Sequence, residues 1–224
     1  MSQNTQLMSE EQLDFIREMM NIGAGNAVTA LQQLLQCRVD LIIPKVHVLP
    51  VVQVSSVLDN PASLVACVRM GMVGDIGGAM FFIVPEESRK ELVSIAEKTL
   101  LGLSKLSGQK SEEVELSVVV EIGNILSGVY LTAIHDFCGL NIYHTVPILV
   151  IDMIQPLLDE ALIKTSIQIQ TALLIENEFA IIVENNLVLD EHKIGTSLVI
   201  VPSLESVKPM IDALRQAKKA YGSA

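Results

Sequence analysis

The sequence predicts an α+β fold of two duplicated helix–strands–helix halves, related by a pseudo-twofold and forming an antiparallel sheet packed with helices. Three observations predict it. A polar motif occurs twice at the same spacing, 103 residues apart: Asp14, Glu18, Asn21, Pro44, then Ser117, Glu121, Asn124, Pro147. The matches run on without a gap, since NIGAGNAVTAL (Asn21 to Leu31) aligns with NILSGVYLTAI (Asn124 to Ile134). Around each motif, segments of helix period and segments of strand character follow in the same order.

The first helix is expected over residues 9–36. Ser9 suits an N-cap, Glu10 and Glu11 suit the positive end of the helix dipole, and Gln12 takes the capping-box position. Residues 38–54 are β-rich and interrupted by Pro44 and Pro50. Residues 63–73 and 78–84 read as strands, and GMVGDIGG (71–78) as the turn between them. Pro85 opens a helix running to about Leu103, with Leu92, Ile95, Ala96 and Leu100 on its apolar side. A polar, glycine-containing stretch from Gly102 to Glu113 reads as the linker between halves.

The second half repeats this order, with a helix over 112–136, strands over 142–152, 164–175, 179–189 and 196–201, and a last helix over 203–219. Gly78 and Pro85 correspond to Gly195 and Pro202. The offset there is 117, so the second half carries 14 extra residues. They are expected within ENEFAIIVENNLVLDEHK (Glu176 to Lys193), as a lengthened hairpin. The chain, residues 1–224, is thus expected to be a single domain of two repeats, about 9–103 and about 112–220.

Composition narrows the function. Half of the residues are hydrophobic, so a sizeable core is attainable, and with 4% aromatics and no Trp that core is aliphatic. The net charge of −11 argues against a phosphate backbone or an anionic membrane surface as partner. It is compatible with a protein that has a basic rim. Three widely spaced cysteines fit neither a disulfide framework nor a zinc pattern, and the four histidines have no shared metal-ligand spacing, so no metal site is expected. A reducing cytoplasm is the expected location. The N-terminus lacks the basic and apolar regions of a signal peptide. The apolar runs are broken by Pro, Lys, Asp or Gln short of the roughly 20 residues of a membrane span, so no membrane insertion is expected.

The spacing of the motif points to its chemistry. Positions i, i+4, i+7 and i+11 fall on one helix face. Asp14, Glu18, Asn21 and Gly25 therefore form one polar stripe, and Ser117, Glu121, Asn124 and Gly128 a second. Each ends in glycine, where the bare helix surface lets another protein come close. Opposite lie Leu13, Ile16, Met20, Ala27, Leu31 and Leu34 in the first helix. In the second, Leu116, Val119, Val120, Ile122, Leu126 and Val129 are available for burial. The NIGAG segment reads as a weak point, since glycine inside a helix costs about 1 kcal/mol relative to Ala. On that ground the Asn124 site is expected to be the more rigid and the more active.

These residues resemble the CheC family of chemotaxis response-regulator phosphatases, the CheC, CheX and FliY group. The family pattern is Asp or Ser, three residues, Glu, two residues, Asn, then about 22 residues to Pro, and both copies match it. The resemblance covers essentially the whole chain. It implies a phosphatase acting on the aspartyl phosphate of a CheY-type response regulator. By carry-over, Asn21 and Asn124 would each orient the attacking water, and Glu18 and Glu121 would pair with a lysine of the regulator. Asp14 and Ser117 would shape the docking surface, and Pro44 and Pro147 would set the chain turn. The resemblance implies no cofactor of the chain's own, because Mg2+ would belong to the regulator. An aspartyl phosphate is already activated, so positioning a water in line supplies much of the rate without a nucleophilic side chain. The alternative is a non-catalytic adaptor that binds the deamidase CheD or is a flagellar switch component. No sheet-forming domain like that of the flagellar switch phosphatase is expected after residue 220.

Overall fold

The computed structural model describes residues 8–58, 62–100, 112–157 and 179–221. The first helix, α1, spans Glu10–Leu35. It starts as the sequence dictates: the Ser9 side chain accepts from the Gln12 amide at 3.3 Å, and the Gln12 side chain accepts from the Ser9 amide at 2.9 Å. Strand β1 (Val39–Pro50) follows, then a short 3-10 turn and a one-turn helix, α2 (Val54–Val57). Strands β2 (Leu64–Gly74) and β3 (Gly78–Pro85) form a hairpin that leads into α3 (Glu86–Leu100).

The second repeat opens with α4 (Glu112–Cys138). Gly139, at φ 67, closes that helix by donating its amide to the His135 carbonyl at 2.7 Å. Strands β4 (Ile142–His144) and β5 (Ile148–Met153) come next. Strands β6 (Phe179–Leu189) and β7 (His192–Pro202) lead into the last helix, α5 (Leu204–Tyr221). The strand expected over 164–175, and the linker up to residue 111, lie outside the described residues.

Among the described residues all pairings are antiparallel, and the sheet order is β1-β6-β7-β3-β2, with β4 and β5 both on the far side of β2. A pseudo-twofold runs between β7 and β3. The repeats do not build separate sheets. The first repeat's β1 pairs with the second repeat's β6, and the second repeat's β4 and β5 pair with the first repeat's β2. The two motif prolines sit at equivalent irregularities. The β1–β6 register shifts between Ile42 and Lys45, around Pro44, while Pro147 lies in the gap between β4 and β5. Proline has no amide hydrogen for the ladder, so a bulge or a break accommodates it.

The lengthened hairpin is a correction. Strands β6 and β7 join through a tight turn at Asp190 and Glu191, both with positive φ (45° and 77°). The larger length difference falls earlier, in the connection over 154–178 against 51–63 in the first repeat.

Side chains alternate along the strands, as a period of two requires. One sheet face, with Ala66, Val68, Met80, Phe82, Ile181, Val183, Leu198 and Ile200, packs under α1, α3, α4 and α5 in a single core. The other face, with Val65, Cys67, Phe81, Ile83, Ala180, Ile182 and Val199, meets Val51, Val54, Leu58, Ile154 and Leu157. The core is aliphatic as expected, with Tyr130, Phe81, Phe82 and Phe179 its largest aromatic members. One described helical stretch, Leu116–Cys138, is long and apolar enough to cross a membrane by length and composition. This departs from the expectation that every apolar run is too short. That stretch is the buried core of α4, with Val119, Ile122, Leu126 and Tyr130 inaccessible to solvent.

Candidate functional site

The two stripes lie on α1 and α4 as the helical spacing requires. Asp14, Glu18, Asn21 and Gly25 are all exposed, as are Ser117 and Glu121, while Asn124 and Gly128 are half-buried. The anchoring sides are buried: Ile16, Met20, Ala27 and Leu31 in α1, and Val119, Ile122 and Leu126 in α4. Leu13, Leu34, Val120 and Val129 pack at the edge of the same core.

Packing between the two helices decides where the stripes point. Gly23 lies against α4, where an added Cβ would come within 3.0 Å of Tyr130 Cδ1 and 3.2 Å of Ala133 Cβ. Further along, Phe15 meets Phe137 edge-on at 5.9 Å between ring centroids. The helices are therefore antiparallel neighbours. At about 100° per residue, Asn21 sits roughly 160° around α1 from Gly23, and Glu121 roughly 180° around α4 from Tyr130. Each stripe faces away from the other helix, so the two stripes occupy opposite flanks of the α1–α4 pair. Beside each flank runs an edge strand, β1 for α1, and β4 with β5 for α4. Pro44 is buried within β1 and Pro147 half-buried between β4 and β5, neither of them on the helix surface.

The glycines correct the reading of NIGAG as a loose segment. Helix α1 runs through it unbroken from Glu10 to Leu35. Gly23 is buried and makes room for Tyr130, so it is a packing position. Helix α4 holds its own buried glycine, Gly123, where a Cβ would stand 2.8 Å from Phe82 Cδ1 and 3.2 Å from Val68 Cβ. Both helices use glycine for close approach, so the sequence argument for a stiffer second site loses its premise. Gly25 is different, since nothing lies within 4 Å of the position a Cβ would take. It is bare surface one turn past Asn21.

Within the stripes the side chains differ in their commitments. Asp14 accepts from Arg17 Nη1 at 2.7 Å. Ser117 has a partner of its own within the chain. Glu18, Asn21, Glu121 and Asn124 make no hydrogen bond or ion pair among the described residues. Two carboxylates and two carboxamides are thus held at fixed helical spacing with their polar atoms uncommitted. A carboxamide of this kind can accept from a water and donate to an oxyanion at once. An exposed carboxylate one turn away can pair with a cation on a docked surface. Among the described residues, no group of three or more His, Cys, Asp or Glu is arranged to hold a metal ion.

Sequence reasoning missed two features of this region. The buried Tyr130 hydroxyl donates to Asn185 Oδ1 at 2.5 Å, tying α4 to β6. The repeat alignment offered no sign of it, because Ala27 takes the corresponding place in the first repeat. A groove of about 350 Å3 also opens beside Gly128, between α4 and β4.

Comparison with known proteins places this geometry. The CheC-like family matches the chain twice, over residues 11–48 and 114–151, each match running from near the start of a stripe helix into the strand beside it. The CheY-P phosphatase CheC of Bacillus subtilis (strain 168) is 30% identical over 213 residues, covering 92% of this chain and 95% of that protein. The flagellar motor switch phosphatase FliY of the same organism is 28% identical over 121 residues, 54% of this chain and 30% of that protein. Among solved structures, Thermotoga maritima FliY superposes with a TM-score of 0.65 at 21% identity, covering 94% of this chain and 98% of that one. The FliM middle domain from H. pylori gives 0.59 at 13% identity, with coverage of 92% and 99%. The structural likenesses establish the shared fold, and the full-length sequence match establishes the relationship: the chain belongs to the CheC-like family.

Proposed function

We propose that this protein hydrolyses the aspartyl phosphate of a CheY-type response regulator in chemotaxis signalling, using two sites of the same kind. The observation that carries the reading is the uncommitted Glu and Asn pair on each exposed helix stripe, Glu18 with Asn21 and Glu121 with Asn124. In each site the helix docks on the regulator, and the Glu pairs with a regulator lysine. The Asn carboxamide enters beside the phosphoryl group. Its oxygen accepts from a water, and its nitrogen donates to a phosphoryl oxygen. The water attacks phosphorus in line, the bond from phosphorus to the aspartate oxygen breaks, and the carboxylate leaves as a stable anion. The water's proton passes to the phosphate released. The regulator supplies the Mg2+ that offsets phosphoryl charge. Catalysis is then positioning, in which an oriented water replaces one that must be captured from bulk.

The opposite flanks support independent work by the two sites. Release of inorganic phosphate from a phosphorylated CheY-type regulator tests the reading. Asn21→Ala and Asn124→Ala each remove part of the activity, and the double variant is nearly inactive while keeping its fold. Full activity in the double variant ends the assignment. Glu18→Lys with Glu121→Lys weakens regulator binding, because each lysine contact becomes repulsive.

A further inference from the structure

The groove beside Gly128 starts where the second stripe ends, one turn past Asn124. Its floor is apolar, formed by Gly128, Leu131 and Ile142. The rest of its lining is Tyr143 with the polar side chains of Thr132, His135, Asn141 and His144. Gly128 belongs to both groove and stripe, so the groove adjoins the α4 stripe.

The hydrogen bonds at the rim determine what the groove accepts. His135 Nδ1 lies 3.0 Å from the Leu140 carbonyl, and His144 Nδ1 lies 3.1 Å from the Thr145 carbonyl. A carbonyl only accepts, so each Nδ1 carries a proton; in the Nδ1–H tautomer Nε2 is an acceptor, and that of His144 stands 3.6 Å from where a Cβ on Gly128 would lie. The Thr132 hydroxyl donates to the Gly128 carbonyl at 2.9 Å, which leaves its oxygen lone pairs. The Asn141 amide nitrogen donates to Asp75 Oδ2 at 3.2 Å, which leaves its carbonyl oxygen. In that tautomer four acceptors border the apolar floor, and among the described residues no Lys or Arg lines the groove. Charged neighbours reinforce the preference. Asp75 bonds to Asn141, Asp136 follows His135 in α4, and Glu121 lies on the same stripe. The whole chain carries −11.

We propose that this groove seats a lysine or arginine side chain of the regulator docked at the second site, and that it gives that site a partner preference the first site lacks. The idea rests on the phosphatase reading above. An ammonium or guanidinium offers only donors, and its aliphatic stem suits the floor. The first repeat cannot offer the same seat. At the places of His135, Asn141 and His144 it carries Gln32, Arg38 and Leu41. Arg38 is itself a cation, paired with Asp40 at 2.9 Å.

The test copies first-repeat residues into the second groove. Asn141→Arg and His144→Leu are made in an Asn21→Ala chain, where the second site works alone. Steady-state dephosphorylation of the regulator is then measured. Asn141→Arg raises KM about ten-fold, the loss of one hydrogen bond to a charged group, with kcat unchanged. His144→Leu raises KM less. The same changes in an Asn124→Ala chain, where the first site works alone, leave KM where it was. A lower KM with Asn141→Arg would show an anionic anchor and overturn the proposal. An unchanged KM, or an equal change in both backgrounds, overturns it too. Absence of phosphate release from the unaltered chain is a separate result, and it sinks the phosphatase reading itself.

Discussion

Tyr130 tests whether a single buried hydrogen bond holds the second stripe helix to the sheet. Its hydroxyl is fully buried and donates to Asn185 Oδ1 at 2.5 Å, while the Asn185 amide nitrogen donates to the Val183 carbonyl at 3.3 Å. Tyr130→Phe keeps the ring against Gly23 and removes only the donor. The Asn185 oxygen is then left buried and unpaired. Stranding a buried acceptor costs about 1–3 kcal/mol, because water does not reach it to compensate. Taking about 2 kcal/mol for a chain of this size, the melting temperature falls by roughly 4–8 °C. Replacing both partners, Tyr130→Phe with Asn185→Leu, recovers much of that loss, since neither polar group is then buried without a partner. Scanning calorimetry reads the first number, and the double-mutant cycle reads the second. Tyr130 lies on the side of α4 opposite Glu121, so phosphate release per folded molecule at 25 °C stays at the level of the unaltered chain. A Tyr130→Phe variant as stable as the unaltered protein would refute the reasoning.

Three further outcomes follow from particular residues. Gly25→Ala has open space for its Cβ, so it raises helix stability by up to about 1 kcal/mol. It also lowers first-site activity by crowding the docked partner, read as a higher melting temperature with slower phosphate release from an Asn124→Ala chain. Hydrogen bonding from Arg89 holds the Glu86 carboxyl below its ordinary value of 4.5. A carboxyl lowered in the folded state adds stability above its unfolded pKa and loses it as pH falls through the folded value. The gap between the unaltered protein and Arg89→Leu in urea unfolding is therefore present at pH 7 and shrinks as the pH falls below about 4.5. Burial pushes the Cys138 thiol up to about 11, so at pH 8 it stays protonated. Cys138 in the native protein then reacts with a disulfide reagent far more slowly than after unfolding in guanidinium.

The helices and their exposed stripes are legible in the sequence because they depend on short-range periodicity. A period of 3.6 residues sets which side of α1 and α4 is apolar, and the Ser9–Gln12 pair sets where α1 begins. The duplicated spacing needs no tertiary information either, since both copies lie on helices of the same kind. The β2–β3 hairpin is legible from its alternation and its glycines.

What only the tertiary structure decided concerns partners rather than elements. Alternation assigns a strand's two faces but not its neighbour, so the exchange of β1 and of β4 with β5 between repeats has no local signature. Glycine within a helix has the same propensity cost whether it loosens the chain or admits a neighbour. Only the Tyr130 ring at Gly23 and the Phe82 ring at Gly123 distinguish these cases. The orientation of the two sites is also a packing result. Each stripe points away from the other because buried contacts between α1 and α4 turn the polar faces outward to opposite flanks. The acceptors at Gly128 gather only once β4 has folded back beside α4. The sequence by itself thus determined which residues lie together on each helix face, through covalent spacing. Packing across the pseudo-twofold decided where those faces point and what stands beside them.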